Sequence, residues 1–182
     1  MRIISGIAGG RKLREPVGDS IRPTSDYVKE SVFNIIQFDI EGRRVLDLFA
    51  GTGQIGIEAL SRGAKSAVFI DSSSQAINLI KANLEHCKFL DISSVRAMDA
   101  LRYLGNDEKF DLIYIDPPYN TELAESALLK IVEFDKMNIN GIILTESSRD
   151  KVLPDLPPPY ELVKAYMYGS KKITKHIRIS TD

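Results

Sequence analysis

Cysteine occurs once in the 182 residues, at Cys87, and histidine twice, at His86 and His176. A single cysteine excludes an internal disulfide framework and fits a reducing cytoplasm. One cysteine and two histidines are too few ligands for a Cys/His zinc site. No apolar run approaches the ~20 residues that cross a bilayer. The segment from Met1 to Leu13 lacks the hydrophobic stretch of a secretion signal. The expectation is a cytoplasmic protein with no membrane contact and no metal. An excess of positive charge is also missing, for the formal net charge is −1, which alone does not mark a nucleic-acid binder.

The distribution of charge is uneven. From Met1 to Arg14 the charged residues are Arg2, Arg11, Lys12 and Arg14, with no acid among them. From Lys164 to Arg178 they are Lys164, Lys171, Lys172, Lys175 and Arg178, again without an acid. Such ends suit a phosphate backbone while a near-neutral centre does chemistry. They equally suit strand edges kept charged against aggregation.

The length is enough for one domain with a real core. Residues 1–40 read as an N-terminal extension: a hairpin around Gly6, Gly9 and Gly10, then a helix to about Phe38 with Val28, Val32, Ile35 and Ile36 on one face. Residues 41–182 read as alternating strands and helices, the whole forming one structural unit. Strands are expected at Arg44–Phe49, Ser66–Ile70, Ile92–Ala97, Phe110–Ile115 and Gly141–Glu146. Helices lie between them, the clearest at Ser74–His86 and Glu122–Phe134. Two further strands, about Tyr160–Tyr168 and Lys172–Ile179, have no helix between them and form a hairpin. The fold class that follows is α/β: a doubly wound, mostly parallel, seven-stranded Rossmann-like sheet with an antiparallel edge hairpin.

Between the first sheet strand and its helix lies Asp47-Leu48-Phe49-Ala50-Gly51-Thr52-Gly53-Gln54-Ile55-Gly56. Its glycines let the backbone turn sharply and approach a ligand, and the helix start beyond them offers free N–H groups. Gly51, Gly53 and Gly56 also spell the dinucleotide pattern, with Asp71 about twenty residues on. Asp47 argues for a different ligand. A carboxylate inside a sheet strand needs a partner; beside a pyrophosphate it repels, whereas beside a sulfonium that also carries an ammonium it has one. Asp71 and Asp99 follow the second and third strands, where open α/β sheets bind ligands. Asp71 suits the hydroxyls of a ribose and Asp99 the amine of an adenine; either also suits the N-cap of the next helix.

Asp116-Pro117-Pro118-Tyr119 ends the strand Leu112–Ile115. Its prolines stiffen the loop and leave mainly carbonyl acceptors. An exocyclic amine on a base needs such a loop, because its lone pair is delocalised into the ring. Asp116 and the Pro117 carbonyl can accept its two hydrogens while Tyr119 stacks on the base. Methyl transfer to that nitrogen is an in-line displacement that rests on orientation, without a metal.

Asp47–Gly53 followed by Asp116–Tyr119 resembles the class I methyltransferases that modify amino groups. Met1-Arg2-Ile3-Ile4-Ser5-Gly6, Gly10-Arg11-Lys12-Leu13, Arg22-Pro23-Thr24-Ser25-Asp26 and Val32-Phe33-Asn34-Ile35 are more specific. With them the chain closely resembles the bacterial 16S ribosomal RNA guanine-N2 methyltransferase family over nearly its whole length. The resemblance implies a monomeric enzyme that uses S-adenosylmethionine, releases S-adenosylhomocysteine, and acts on an assembly intermediate of the small ribosomal subunit. It implies catalysis by Asp116, Pro117 and Tyr119, and a cofactor held by Asp47, Phe49, Gly51, Gly53, Asp71 and Asp99. Substrate contacts are expected at Arg11, Lys12, Arg22, Thr24 and Pro118, with Arg22 and Thr24 open to RNA, cofactor or Asp116.

Three other readings compete. A DNA amino-methyltransferase shares the Asp-Pro-Pro-Tyr loop but usually carries a separate recognition module, and few residues here are spare. An NAD-dependent oxidoreductase leaves that loop unexplained. A non-catalytic RNA-binding assembly factor has no use for an intact Asp116 and glycine loop.

Overall fold

The computed structural model describes residues 1–16, 18, 23–118 and 121–180. In chain order the elements begin with α1 (Asp26–Ile35), β1 (Arg44–Asp47), α2 (Gln54–Ser61), β2 (Ser66–Asp71) and α3 (Ser74–Cys87). A 3-10 turn at Leu90–Ile92 leads to β3 (Ser93–Ala97), α4 (Ala100–Tyr103), β4 (Phe110–Ile115), α5 (Leu123–Glu133), β5 (Met137–Ser148), β6 (Tyr160–Tyr168) and β7 (Lys171–Arg178). The strands form a seven-stranded sheet in the order β3-β2-β1-β4-β5-β7-β6. Strands β1 to β5 pair in parallel, and β7 runs antiparallel to both β5 and β6. The chain winds one way from β1 through β2 to β3, then returns to place β4 on the other side of β1. The carboxyl ends of β1 and β4 therefore bound the crevice where the winding reverses.

Alternation along the strands sorts the core into two layers. Val45, Phe69, Leu112, Tyr114 and Leu144 face one way, against Val32 and Phe33 of α1, Ile57 and Leu60 of α2, and Ile80 and Leu84 of α3. Leu46, Ile70, Ile113, Ile115 and Ile143 face the other way, against Tyr103 of α4 and Leu128 and Ile131 of α5. Ser25 and Ser73 cap α1 and α3, accepting from the Val28 and Ala76 N–H groups at 3.3 Å each.

The N-terminal hairpin is narrower than its residues suggest: Arg2 and Lys12 form one isolated antiparallel bridge. The donors that would extend it are used elsewhere. Ile4 and Ser5 donate their N–H groups to the Glu58 carboxylate at 2.8 and 2.9 Å. Ala8 donates to Ser61 Oγ at 3.0 Å. The segment is thus bound to α2, and Ile3, Ala8 and Leu13 join the core of that face. Strand β5 begins earlier than the expected Gly141, because Met137 pairs with Phe110 ahead of a register shift between Phe110 and Leu112.

Candidate active site

A cavity of about 570 Å³ opens at the carboxyl ends of β1, β2 and β4. This volume is that of a small-molecule site. Its walls include Asp47, Phe49, Gly51, Asp71, Asp99, Asp116, Pro117 and Pro118, together with Thr24 from the extension and Lys171 from β7.

The glycine loop is held from beneath. Asp47, 2% exposed at the end of β1, accepts from the Gly56 N–H at 3.0 Å. Gly53 precedes the first residue of α2 with φ +73°, a left-handed conformation that costs glycine little. A Cβ at Gly56 would lie 2.2 Å from the Phe69 ring, so this glycine serves the packing of α2 on β2. The first turn of α2 contains no acid, which leaves its N-terminal dipole facing the cavity.

The acids differ in their duties. Asp71 accepts from the Gly51 N–H through one oxygen and from the Ser73 N–H through the other, each at 2.8 Å. It shapes the loop and also lines the cavity. Asp99 caps α4, its Oδ1 accepting from the Arg102 N–H at 2.8 Å. The capping use that its sequence position left open is therefore present, and Asp99 still lines the cavity.

Burial dominates the electrostatics. It pushes the Asp47 carboxyl up to about 8, against the Gly56 N–H and with the charges of Asp116 and Asp71 adding to the rise. It pushes Asp116 up to about 7, with Glu146 adding and Lys171 opposing. Without a ligand, Asp47 is a neutral acid near pH 7 and Asp116 is poised between its two forms.

Tyr119 and Arg22 lie outside the described residues. Pro117 is buried and Pro118 exposed, and the Pro118 carbonyl accepts from the Thr121 hydroxyl at 2.8 Å. Thr24 reaches the cavity because Gln54 Nε2 donates to its carbonyl at 3.0 Å. Gln54 Oε1 in turn accepts from the buried Lys29 ammonium at 2.9 Å. This brace sets residues 23–25 beside the glycine loop. Arg11 and Lys12 are not part of the cavity wall: the Arg11 guanidinium donates to the His86 carbonyl at 2.8 Å, at the end of α3, and Lys12 is exposed.

Sequence reasoning missed Gln54, Tyr114, Glu146 and Lys171. The Tyr114 hydroxyl donates to Glu146 Oε2 at 2.7 Å, and Lys171 forms an ion pair with Glu146 Oε1. A glutamate inside the apolar run of β5 was the available signal.

Known proteins resemble this chain over most of its length. A family model described as conserved hypothetical protein 95 matches residues 1–177. A Bacillus subtilis protein, YlbH, described as a candidate rRNA methyltransferase, is 39% identical over 173 residues, covering 93% of this chain and 94% of that protein. The Haemophilus influenzae protein called ribosomal RNA small subunit methyltransferase D is 36% identical over 157 residues, covering 84% and 81%. A solved structure from Escherichia coli, described as a candidate methyltransferase, yhhF, superposes with a TM-score of 0.90 at 30% identity, over 100% of this chain and 99% of that one.

Proposed function

The chain belongs to the conserved hypothetical protein 95 family, a family of bacterial small-subunit ribosomal RNA methyltransferases, and from that premise we propose that it transfers a methyl group from S-adenosylmethionine to the exocyclic N2 amine of a guanine in 16S ribosomal RNA. The observation that carries the reading is the pair of raised carboxyls, Asp47 and Asp116, lining one cavity on adjacent strands. Among the described residues, the groups acting on Asp47 are a backbone N–H and two further carboxyls, with no cation. A ligand carrying positive charge supplies what Asp47 lacks.

When bound, S-adenosylmethionine supplies an electrophilic methyl group on a positively charged sulfur. In this reading Asp47 ionises to face that charge. Gly51 and Gly53 allow close approach, Phe49 forms an apolar wall, Asp71 accepts from ribose hydroxyls, and the outer lone pairs of Asp99 accept from the adenine amine. Asp116 and the Pro117 carbonyl accept the two hydrogens of the guanine amine, which directs its lone pair at the methyl group. Tyr119 stacks on the base, Pro118 borders it, and the acceptor contacts strengthen as the nitrogen gains positive charge. The extension, residues 1–40, with Arg11, Lys12, Arg22 and Thr24, contacts the RNA. The reading is completed by a monomeric, cytoplasmic enzyme that releases S-adenosylhomocysteine, needs no metal and acts on a small-subunit assembly intermediate. No described helix is long and apolar enough to cross a membrane.

The test is methylation of small-subunit ribosomal RNA and assembly particles taken from cells that lack the protein, followed by mass spectrometry of the nucleosides. The expected product is N2-methylguanosine. A methyl group on adenine or cytosine, or none, overturns the assignment.

A further inference from the structure

Behind the acceptor wall lies a charged group that the reaction as described does not use. The β1–β4 register pairs Asp47 with Tyr114. The β4–β5 register pairs Tyr114 with Leu144 and Ile115 with Thr145, so Asp116 leaves β4 level with Glu146. Asp47, Tyr114, Asp116 and Glu146 thus share one face at the carboxyl ends of three neighbouring strands. Glu146 is 1% exposed. Tyr114 holds its Oε2 at 2.7 Å, and Lys171, at the start of β7, holds its Oε1. Lys171 also lines the cavity.

An ion pair with one member buried, as Glu146 is here, is weak support for a fold, since apolar residues of similar volume can stabilise as well or better. This one sits beside the residue that meets the amine, and its two members act on that residue in opposite senses: Glu146 opposes the ionisation of Asp116 and Lys171 favours it. We propose that Glu146 and Lys171 are positioning residues for methyl transfer, which act through Tyr114 and Asp116 to hold the acceptor wall and to set the pH at which Asp116 meets the target amine as a carboxylate. The inference rests on the reading of Asp116 given above. In the step itself an N–C bond forms as the C–S bond breaks, the bonding pair leaves with sulfur, and one amine proton passes to the Asp116 carboxylate. Among the described residues, the charged and titratable groups that face Asp116 are Asp47 on β1, Tyr114 on β4, Glu146 on β5 and Lys171 on β7, with Asp71 one strand beyond Asp47. Tyr114 stays protonated, because burial and the adjacent carboxylates push its hydroxyl well above the usual range. The adjustable pair is therefore Glu146 and Lys171.

Two readouts test this. The first is the pH titration of the Asp116 carboxyl carbon by NMR in cofactor-free protein. The second is the pH profile of single-turnover methyl transfer at saturating cofactor and RNA. Glu146→Gln keeps the hydrogen-bonding shape and removes the charge, so the Asp116 midpoint moves down by about one pH unit. Lys171→Met moves it up by about one unit, and Lys171→Arg returns it toward wild type. The rising limb of the rate profile follows each shift, about tenfold in rate at a fixed pH below the midpoint. If Glu146→Gln fails to fold, the Lys171 variants decide alone. Midpoints that stay put or move in the same direction, in an enzyme that still transfers methyl groups, overturn the inference and leave the function standing. Midpoints that move as stated, in a wild-type protein that methylates no ribosomal RNA, overturn the function and with it this role.

Discussion

Replacing Asp47 by asparagine keeps the acceptor for the Gly56 N–H and removes only the ability to ionise. In the ligand-free protein the carboxyl titrates at about 8, against 3.8 for an ordinary aspartate. The folded chain therefore holds a proton that the unfolded chain releases across that window. The stability associated with this proton is fully present below pH 3.8, falls as pH rises, and is lost by about pH 8. The gap corresponds to on the order of 5 kcal/mol. Asp47 lines a cavity open to water, so the realised gain for Asp47→Asn at pH 8 is expected to be about 2–3 kcal/mol. For a chain of this size that raises Tm by about 5–10 °C, with a difference from wild type that shrinks toward pH 5. Cofactor binding moves the opposite way. Below pH 8 the wild type must give up the Asp47 proton to meet a cation. The ratio of wild-type to Asp47→Asn affinity then rises about tenfold per pH unit and levels off above pH 8. Taking the ratio cancels the titration of the ligand itself. Thermal unfolding from pH 5 to 9 and calorimetry with S-adenosylmethionine in two buffers measure both effects. A variant no more stable than wild type at pH 8, or an affinity ratio flat with pH, would falsify the claim that Asp47 is a neutral buried acid waiting for a cation.

Asp116→Ala should lower single-turnover methyl transfer ~10²–10³-fold or more at unchanged cofactor affinity; near wild-type rates would reduce the proline loop to a turn. Asp71→Ala removes the anchor of the Gly51 and Ser73 N–H groups, so cofactor affinity should drop by about 1–3 kcal/mol with little change in rate at saturation; unchanged affinity in calorimetry would refute this. RNA affinity should fall steeply with salt, and Lys12→Glu, at an exposed position, should weaken it without moving Tm or cofactor affinity. Filter binding from low to physiological salt checks this, and a flat salt response removes the extension from the RNA interface.

Much of the architecture was legible because the signals are local. The apolar faces of α1 and α3, the near-continuous apolar runs of β2 and β4, and the short Gly169-Ser170 gap each identify an element within a window of the chain. The glycine loop and the proline loop are legible for the same reason, and winding rules then place them across one crevice. The acids were harder. Asp99 carries the same sequence signal as a cap and as a ligand contact, and both remain compatible with its geometry. The ion pair behind Asp116 was not legible, since Glu146 and Lys171 meet only once β7 pairs with β5 in one register, and long-range register leaves no mark on a single sequence. The true start of β5 was hidden similarly, because Met137 is drawn into the sheet by Phe110 across a bulge.

The position of β7 bears on how the molecule assembles. β6 precedes β7 in the chain yet lies outside it, and among the described residues β7 is its one neighbour in the sheet. β6 cannot join the sheet before β7, and β5 keeps an open edge until β7 pairs with it. That docking joins strands nearer in sequence than β1 and β4 are, so what it waits on is β5 as a template and not a long search along the chain. The same event delivers Lys171 to Glu146. A species that has built β1 to β5 but not the hairpin would display the glycine loop and the proline loop with Glu146 on an open strand edge, before Lys171 reaches it. The glycine loop is therefore complete within β1 to β5, whereas the charge balance of the acceptor wall depends on the C-terminal hairpin.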